Sequence, residues 1–365
     1  MKKIKFLDLK KINIRKQKEL TSDFKRFLNS GWYIGSTEVK QFENKFSKYC
    51  KTKFCVGVAN GLDAIFLILK AYNIGKGDEV IVPSNTYIAS WLAVTRTGAK
   101  IIPVEPDISS YNIDHRKILE KITSKTKAII VVHLYGQTAD MDPIMKISKK
   151  YNLKVIEDAA QAFLSKVNSN GAVGVKYDIG CFSLSITKPI HMVYGGFCTT
   201  NSNKLADKLR AIRNNGVNSK PENARLELAS EMGLNLKPSD LHSSIGIANI
   251  ENLKHQAQVL KKIHNLYKNT IKNKKINFLE VKGKYSTPCY NQVLVDNREK
   301  FMKFCYQNSV GLHLGIRCLS ETDINIDNGN YDNSLFLSRN LVRLPSGPGY
   351  NLTDISNIIK IINRY

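Results

Sequence analysis

No apolar run in this 365-residue chain approaches the ~20 residues a membrane helix needs, so a spanning helix is excluded. The opening MKKIKFLDLKK carries the positive charge of a secretory leader. Asp8 and Lys10 break the apolar stretch that should follow, so the expectation is a cytosolic (cytoplasmic) protein. No C-x-x-C pair occurs among the seven cysteines, which are scattered from Cys50 to Cys318. An odd, dispersed set fits reduced thiols rather than a disulfide framework or a zinc site, and no metal is expected. Internal repeats and low-complexity linkers are missing as well.

Acidic residues are scarce, with 31 Asp and Glu against 55 Lys and Arg and a net charge of +24. Such a balance raises nucleic acid, membrane surfaces and phosphorylated small molecules as partners. The lysines are spread through helical stretches beside many asparagines, as in KNTIKNKKINF, and no basic run interleaves with aromatics. A solvated, Lys-rich surface is the simpler reading. Neither nucleic acid nor a membrane is expected as a partner, while anionic substrates would be steered inward.

What is present points to α/β architecture. A hydrophobic content of 42% suffices for a large domain and a smaller one. FENKFSKY has helical spacing, with Phe42, Phe46 and Tyr49 expected on one face. From Phe54 onward short apolar strands (DEVIVP, AKIIPVE, AIIVVHLYG, LKVIEDAA) alternate with helical segments, which predicts a mostly parallel central sheet covered by helices. After Asp178 two short strands, IGCFSLS and GGFCTTN, flank a turn. The stretch LKPSDLHSS…KNKK reads as one or two long helices leading into a smaller C-terminal α+β domain. The expected division is 1–255 and 256–365.

Three features could carry chemistry, and each has an ordinary alternative. Asn60-Gly61-Leu62 ends a strand and opens a helix, so it is either an anion site of backbone N–H groups or a plain helix start. Asp158 closes the strand LKVIEDAA, where open α/β sheets place ligands, or it caps the next helix. Lys188 lies between two short strands in FSLSITKPIHMVYGG, where most lysines of so basic a chain are surface residues. Pyridoxal phosphate chemistry has four physical needs that features of this kind could meet. A lysine forms a Schiff base with the aldehyde, a carboxylate keeps the pyridine nitrogen protonated, donors hold the phosphate, and an aromatic covers the ring.

The chain resembles the DegT/DnrJ/EryC1/StrS family of sugar aminotransferases, a branch of the fold type I pyridoxal phosphate enzymes. The resemblance runs almost end to end, through SGWYIGSTEVKQFENKFSKYC, VGVANGLDAIFLIL, GDEVIVPSNTYIAS, VVHLYGQTADMDPI, VIEDAAQAF, DIGCFSLSITK and MGLNLKPSDLHSS. It implies that Lys188 bonds to the cofactor and shuttles the proton, and that Asp158 meets the pyridine nitrogen. It further implies Gln161 beside the phenolic oxygen, Ser183 with Gly61 and Leu62 at the phosphate, and Tyr87 on the ring. Asn235, in a segment expected to be helical, matches an asparagine that reaches the phosphate of the neighbouring subunit, which implies a homodimer with shared sites.

There are departures from the family pattern. Leu62 stands where the family often has Thr or Ser, leaving only the backbone donor. Pro189 stiffens the chain after the lysine, Tyr194 replaces an acid before Gly195-Gly196, and a common His-Tyr-Pro segment is replaced near HLGIRCLSE. His191 and Arg317 are candidates for sugar phosphates or an amino-donor carboxylate. Trp32 and Tyr33 are candidates for the substrate loop, and His133 reads as a satisfied buried histidine. The expected activity moves an amino group from L-glutamate, leaving 2-oxoglutarate, to a dTDP-linked 3-keto-6-deoxyhexose for cell-surface polysaccharide. A 4-keto substrate is the alternative. A sugar dehydratase of the family carries histidine at the lysine position, so Lys188 argues against it. A non-enzymatic regulator would call for an appended DNA-binding module, and nothing like one is visible.

Overall fold

The computed structural model describes residues 3–14, 17–35, 37–166, 172–175, 177–217, 229, 231–283, 285–324, 329–347 and 349–365. Seven strands form the main sheet: β1 (Phe54–Val58), β2 (Glu79–Pro83), β3 (Lys100–Val104), β4 (Thr126–Val132), β5 (Lys154–Asp158), β6 (Ile179–Ser183) and β7 (Gly196–Thr200). Their order is β1-β7-β6-β5-β4-β2-β3, with β7 antiparallel to both neighbours and every other pair parallel. The mostly parallel sheet expected from the alternating pattern is therefore present.

Neighbouring residues of one strand enter different clusters, which shows that both faces are covered. In β2, Val80 and Val82 join one core while Ile81 joins another, and in β4 Ile130 and Ile129 divide the same way. Burial on both faces is why these strands read as continuous apolar runs. Local signals set the helix ends. Helix Gly61–Ala71 is capped by Asn60, whose Oδ1 accepts the Asp63 N–H at 2.9 Å. Helix Met141–Tyr151 stops at Asn152 in the left-handed region.

The second sheet is antiparallel, with β8 (Ile276–Leu279), β9 (Asn291–Val295), β10 (His313–Leu314) and β11 (Leu341–Leu344) in the order β10-β11-β9-β8. Helices Arg298–Gln307 and Leu352–Ile362 supply the core on one of its faces. Two helices, Asp240–Ile250 and Leu253–Thr270, lead into it, as the sequence suggested. No helix among the described residues is long and apolar enough to cross a membrane.

Two local expectations are corrected. Helix Thr37–Cys50 buries Phe42, Phe46 and Cys50 but leaves Tyr49 exposed. Positions 42, 46 and 50 follow i+4 steps, and 49 falls at the edge of that stripe. Helix Asp240–Ile250 is capped by Ser239, so Asn235 lies before it, in an antiparallel bridge with Asn214 rather than in a helix.

Candidate active site

The strands deliver their chemistry at one edge. β5 ends on Asp158, β6 ends on Ser183, and the loop joining β6 to β7 carries Lys188. That loop is closed by backbone bonds: Leu184 N–H donates to Gly195 O, Met192 N–H to Leu184 O, and Lys188 N–H to Ser185 O. Lys188, half-buried, shares a pocket with Gln161, Ser183, Pro189, Thr287 and Cys289. Ala160, two residues past Asp158, lines it too.

Asp158 is buried at 5% exposure and held from two sides. Ala160 N–H donates to Oδ1 at 3.0 Å, and the Ser90 hydroxyl donates to Oδ2 at 3.0 Å. Burial pushes its carboxyl above the usual range, while those two donors, Lys188 and His133 pull the other way. Burial likewise pushes the Lys188 amine below its ordinary value. The field of Asp158 opposes that shift, and the charge of Arg343 adds to it. A basic amine with a reduced proton affinity beside a buried acid is the arrangement a proton carrier needs.

Gly61 packs against Ser183 so closely that a Cβ on the glycine would lie 2.7 Å from the serine Cβ. The N-terminus of helix Gly61–Ala71 and the Ser183 side chain therefore form one donor-lined corner, fit for an anion. Leu62 follows, half-buried against the main core. Gln161 is buried and lines the pocket, and its Oε1 accepts the Tyr135 N–H at 2.8 Å. Gly136 is obligatory nearby, since a Cβ there would meet the Thr287 carbonyl oxygen at 2.0 Å. That close approach lets the 287–289 segment wall the pocket. The fit to pyridoxal phosphate therefore rests on a shared corner for the phosphate, a lysine in the pocket, and a buried carboxylate coupled to it.

The remaining candidates are less concentrated. Tyr87 is exposed just before helix Ile88–Thr95, one turn from Ser90, whose N–H donates to the Tyr87 carbonyl. Asn235 is exposed beside Leu236, whose carbonyl accepts the Ala59 N–H. His191 is buried, and its carbonyl accepts from Asn249 at 2.7 Å. Arg317 is exposed and forms no ion pair among the described residues. Trp32 and Tyr33 are exposed, with the Tyr33 carbonyl accepting the Asp240 N–H. Tyr194 is exposed and accepts the Asn60 side-chain N–H at 3.2 Å.

His133 is fully buried. Its Nδ1 accepts the Ala139 N–H at 3.1 Å, so Nε2 carries the hydrogen toward Glu157 Oε2 at 3.2 Å. It is the satisfied histidine its sequence context suggested. Sequence reasoning missed Ser90, Cys289, Tyr290 and Arg343. Ser90 had a weak signal, lying one helical turn after Tyr87. The others come from a distant part of the chain and had none.

The family model of the DegT/DnrJ/EryC1/StrS aminotransferase family matches residues 15–363. A dTDP-3-amino-3,6-dideoxy-alpha-D-galactopyranose transaminase of Aneurinibacillus thermoaerophilus is 42% identical over 99% of each chain. A UDP-2-acetamido-2-deoxy-3-oxo-D-glucuronate aminotransferase of Pseudomonas aeruginosa is 33% identical over 81% of each. The crystal structure of S. venezuelae DesV in complex with a ketimine intermediate superposes with a TM-score of 0.94, covering 100% of this chain and 98% of that one at 27% identity.

Proposed function

The chain belongs to the DegT/DnrJ/EryC1/StrS aminotransferase family, and from that premise we propose that it transfers an amino group from L-glutamate to a dTDP-linked 3-keto-6-deoxyhexose. The family is pyridoxal phosphate-dependent and its named relatives are sugar nucleotide transaminases. The 3-keto choice is supported by the transaminase with 42% identity over nearly the whole chain, whose product carries its amine at C3. Cell-surface polysaccharide synthesis in the cytoplasm is the setting we assign. The free, buried state of all seven cysteines supports a reducing compartment.

The observation that carries the mechanism is Lys188 in one pocket with Gln161 and Ser183, electrostatically coupled to buried Asp158. Pyridoxal phosphate, when bound, supplies the aldehyde that receives the amine and a ring that withdraws electrons from the substrate carbon. Lys188 would hold it and carry the proton between its reacting carbon and that of the substrate. Asp158 would keep the ring nitrogen protonated, Gln161 would donate its amide to the phenolic oxygen, and Tyr87 would cover the ring. Ser183 and the N–H groups at Gly61 and Leu62 would hold the phosphate, with Asn235 reaching it from the second subunit of a homodimer. Trp32, Tyr33, His191 and Arg317 remain substrate candidates on this reading.

We divide the chain at residue 255. The two separate sheets support this, with helix Leu253–Thr270 leading from one to the other.

The experiment is to incubate purified protein with pyridoxal phosphate, glutamate and a panel of 3-keto and 4-keto sugar nucleotides, and to read products by mass. The aminated 3-keto sugar is expected. Exclusive amination of 4-keto substrates would replace the regiochemistry, and no amination of any would reject the function. Borohydride reduction of the protein with bound cofactor should fix the pyridoxyl group on Lys188. An adduct on another lysine would reject that assignment.

A further inference from the structure

The N-terminal segment is tied to the small unit at several points. Ile4 bridges Val310 in parallel, its N–H donating to the Ser309 carbonyl and its own carbonyl accepting the Gly311 N–H, both at 2.8 Å. The Tyr350 hydroxyl donates to the Lys5 carbonyl, and the Lys11 ammonium pairs with Asp354 at 3.2 Å. Ile4, Tyr350 and Ile361 belong to the core that helices Arg298–Gln307 and Leu352–Ile362 supply. That core covers one face of the small sheet, while Leu341 on the other face packs into the core of the main sheet. Between the segment and helix Leu352–Ile362 lies a cavity of about 550 Å³. It shares no lining residue with the Lys188 pocket.

The wall of this cavity is strongly basic. Lys3, Lys5, Lys11, Lys360 and Arg364 line it against two acids, Asp8 and Asp354. Both acids are engaged: Asp8 Oδ1 accepts the Lys11 N–H at 3.2 Å, and Asp354 holds the Lys11 ammonium. Lys3, Lys5, Lys360 and Arg364 form no ion pair among the described residues. Lys3 lies 5.3 Å from the centre of the Tyr306 ring and Arg364 donates to Asn308 at 3.3 Å, and neither contact brings a formal negative charge. The dipole of helix Leu352–Ile362 accounts for Lys360 in its last turn. It does not account for Lys3 and Lys5, which arrive from the other end of the chain. Charge is concentrated at that end, where eight of the first 18 residues are Lys or Arg and one is acidic. Cations gathered around one concavity repel each other and focus a positive field into it.

We propose that this cavity binds a phosphorylated small molecule with a polar body, of the size of a sugar phosphate or a nucleotide, at a site separate from the aminotransferase centre. Four uncompensated cations exceed what one carboxylate neutralises. A phosphate monoester brings close to two charges and three acceptor oxygens. The volume asks for more than a bare anion, because small-molecule sites run from roughly 300 to 1,000 Å³ and a free phosphate would leave most of this one empty. The wall supplies matching parts. Arg364, held by Asn308, offers a planar fork to two phosphate oxygens, and Lys5 and Lys360 add point charges. Asn357 presents an amide to the polar body, and Ile4 and Ile361 give it an apolar floor.

The test is calorimetric titration of the full-length protein with glucose 1-phosphate, AMP and inorganic phosphate. Wild type is compared with the double variant Lys360→Gln/Arg364→Gln and with Lys5→Gln, in which the backbone bond to Tyr350 survives. A control pair, Lys146→Gln/Lys149→Gln, removes the same charge from exposed positions of helix Met141–Tyr151. At least one ester should bind wild type and the control pair alike, and more tightly than inorganic phosphate does. Its affinity should fall about tenfold to a hundredfold in the double variant, the scale of lost charged hydrogen bonds, and in the same direction in Lys5→Gln. Binding in the Lys188 pocket would survive in these variants, so only the component lost in them reports the cavity. Failure of both esters to bind wild type overturns the proposal, as does unchanged ester affinity in the double variant. An equal loss in the control pair would reduce the effect to overall surface charge and overturn it too. Inorganic phosphate binding as tightly as the esters would reject the ligand class.

Discussion

Ser90 donates its hydroxyl to Oδ2 of Asp158 across 3.0 Å, and it accepts in turn from Thr86, 3.1 Å away. An ionised carboxylate only accepts and a serine has one proton, so the direction of both bonds is set. The serine therefore stabilises the charged form of the acid that burial disfavours. Ser90→Ala should raise the Asp158 pKa. Because the acid acts as a carboxylate, the acidic limb of the pH–rate profile should move to higher pH, with the loss smallest at the alkaline end. Ser90→Thr should restore the limb. A profile that keeps its shape in Ser90→Ala would remove the serine from this role.

Asp158→Asn should fold but lose most turnover, because an amide cannot keep the ring nitrogen protonated. A charged hydrogen bond of ~1.5–3 kcal/mol is at stake, which is about ten- to more than a hundredfold in rate. The same variant tests the field at Lys188. Asp158 raises the lysine pKa and Arg343 lowers it, so Asp158→Asn should move it down and Arg343→Gln up. The pH dependence of Lys188 modification by an amine-selective reagent, followed by peptide mass in cofactor-free protein, reads both. Shifts of the same sign in the two variants would contradict the arrangement.

Gly61→Ala places a methyl group 2.7 Å from the Ser183 Cβ, a backbone-anchored neighbour that cannot swing aside. Overpacking of this kind costs about 1–3 kcal/mol. The melting temperature should fall, and affinity for pyridoxal phosphate should fall more than affinity for pyridoxal, which lacks the phosphate. An equal loss for both would show that the corner does not serve the phosphate.

Asn235 is exposed in a single chain, as a residue serving a second subunit has to be. In a mixed dimer of Lys188→Ala and Asn235→Ala chains, shared sites would put both defects in one site and leave the other normal. One site of full cofactor affinity is expected on titration. A weakened site beside a dead one would confine Asn235 to its own chain. A fully active monomer would reject sharing outright.

The alternation of strand and helix, the donor turn at Asn60 and Gly61, and the order of Asp158 and Lys188 were legible in the sequence because each is local. Apolar periodicity reports burial along one element, and Asn60 caps the helix three residues ahead of the N–H it accepts. The position of Asn235 was misread because the helix-forming pattern near it begins only after the Ser239 cap. The wall behind Lys188 was illegible for a different reason. Lys188 and Tyr290 meet through Thr187, and Arg343 follows Tyr290 by more than fifty residues. No spacing rule links them, because only the face that β11 turns toward the main sheet decides that this arginine, and not exposed Arg317, stands behind the lysine. In a chain with 55 Lys and Arg, composition cannot single out one functional cation. Position behind the pocket can, as where Arg343 lies over the Tyr290 ring that bonds to Thr187, and position is a property of the folded molecule.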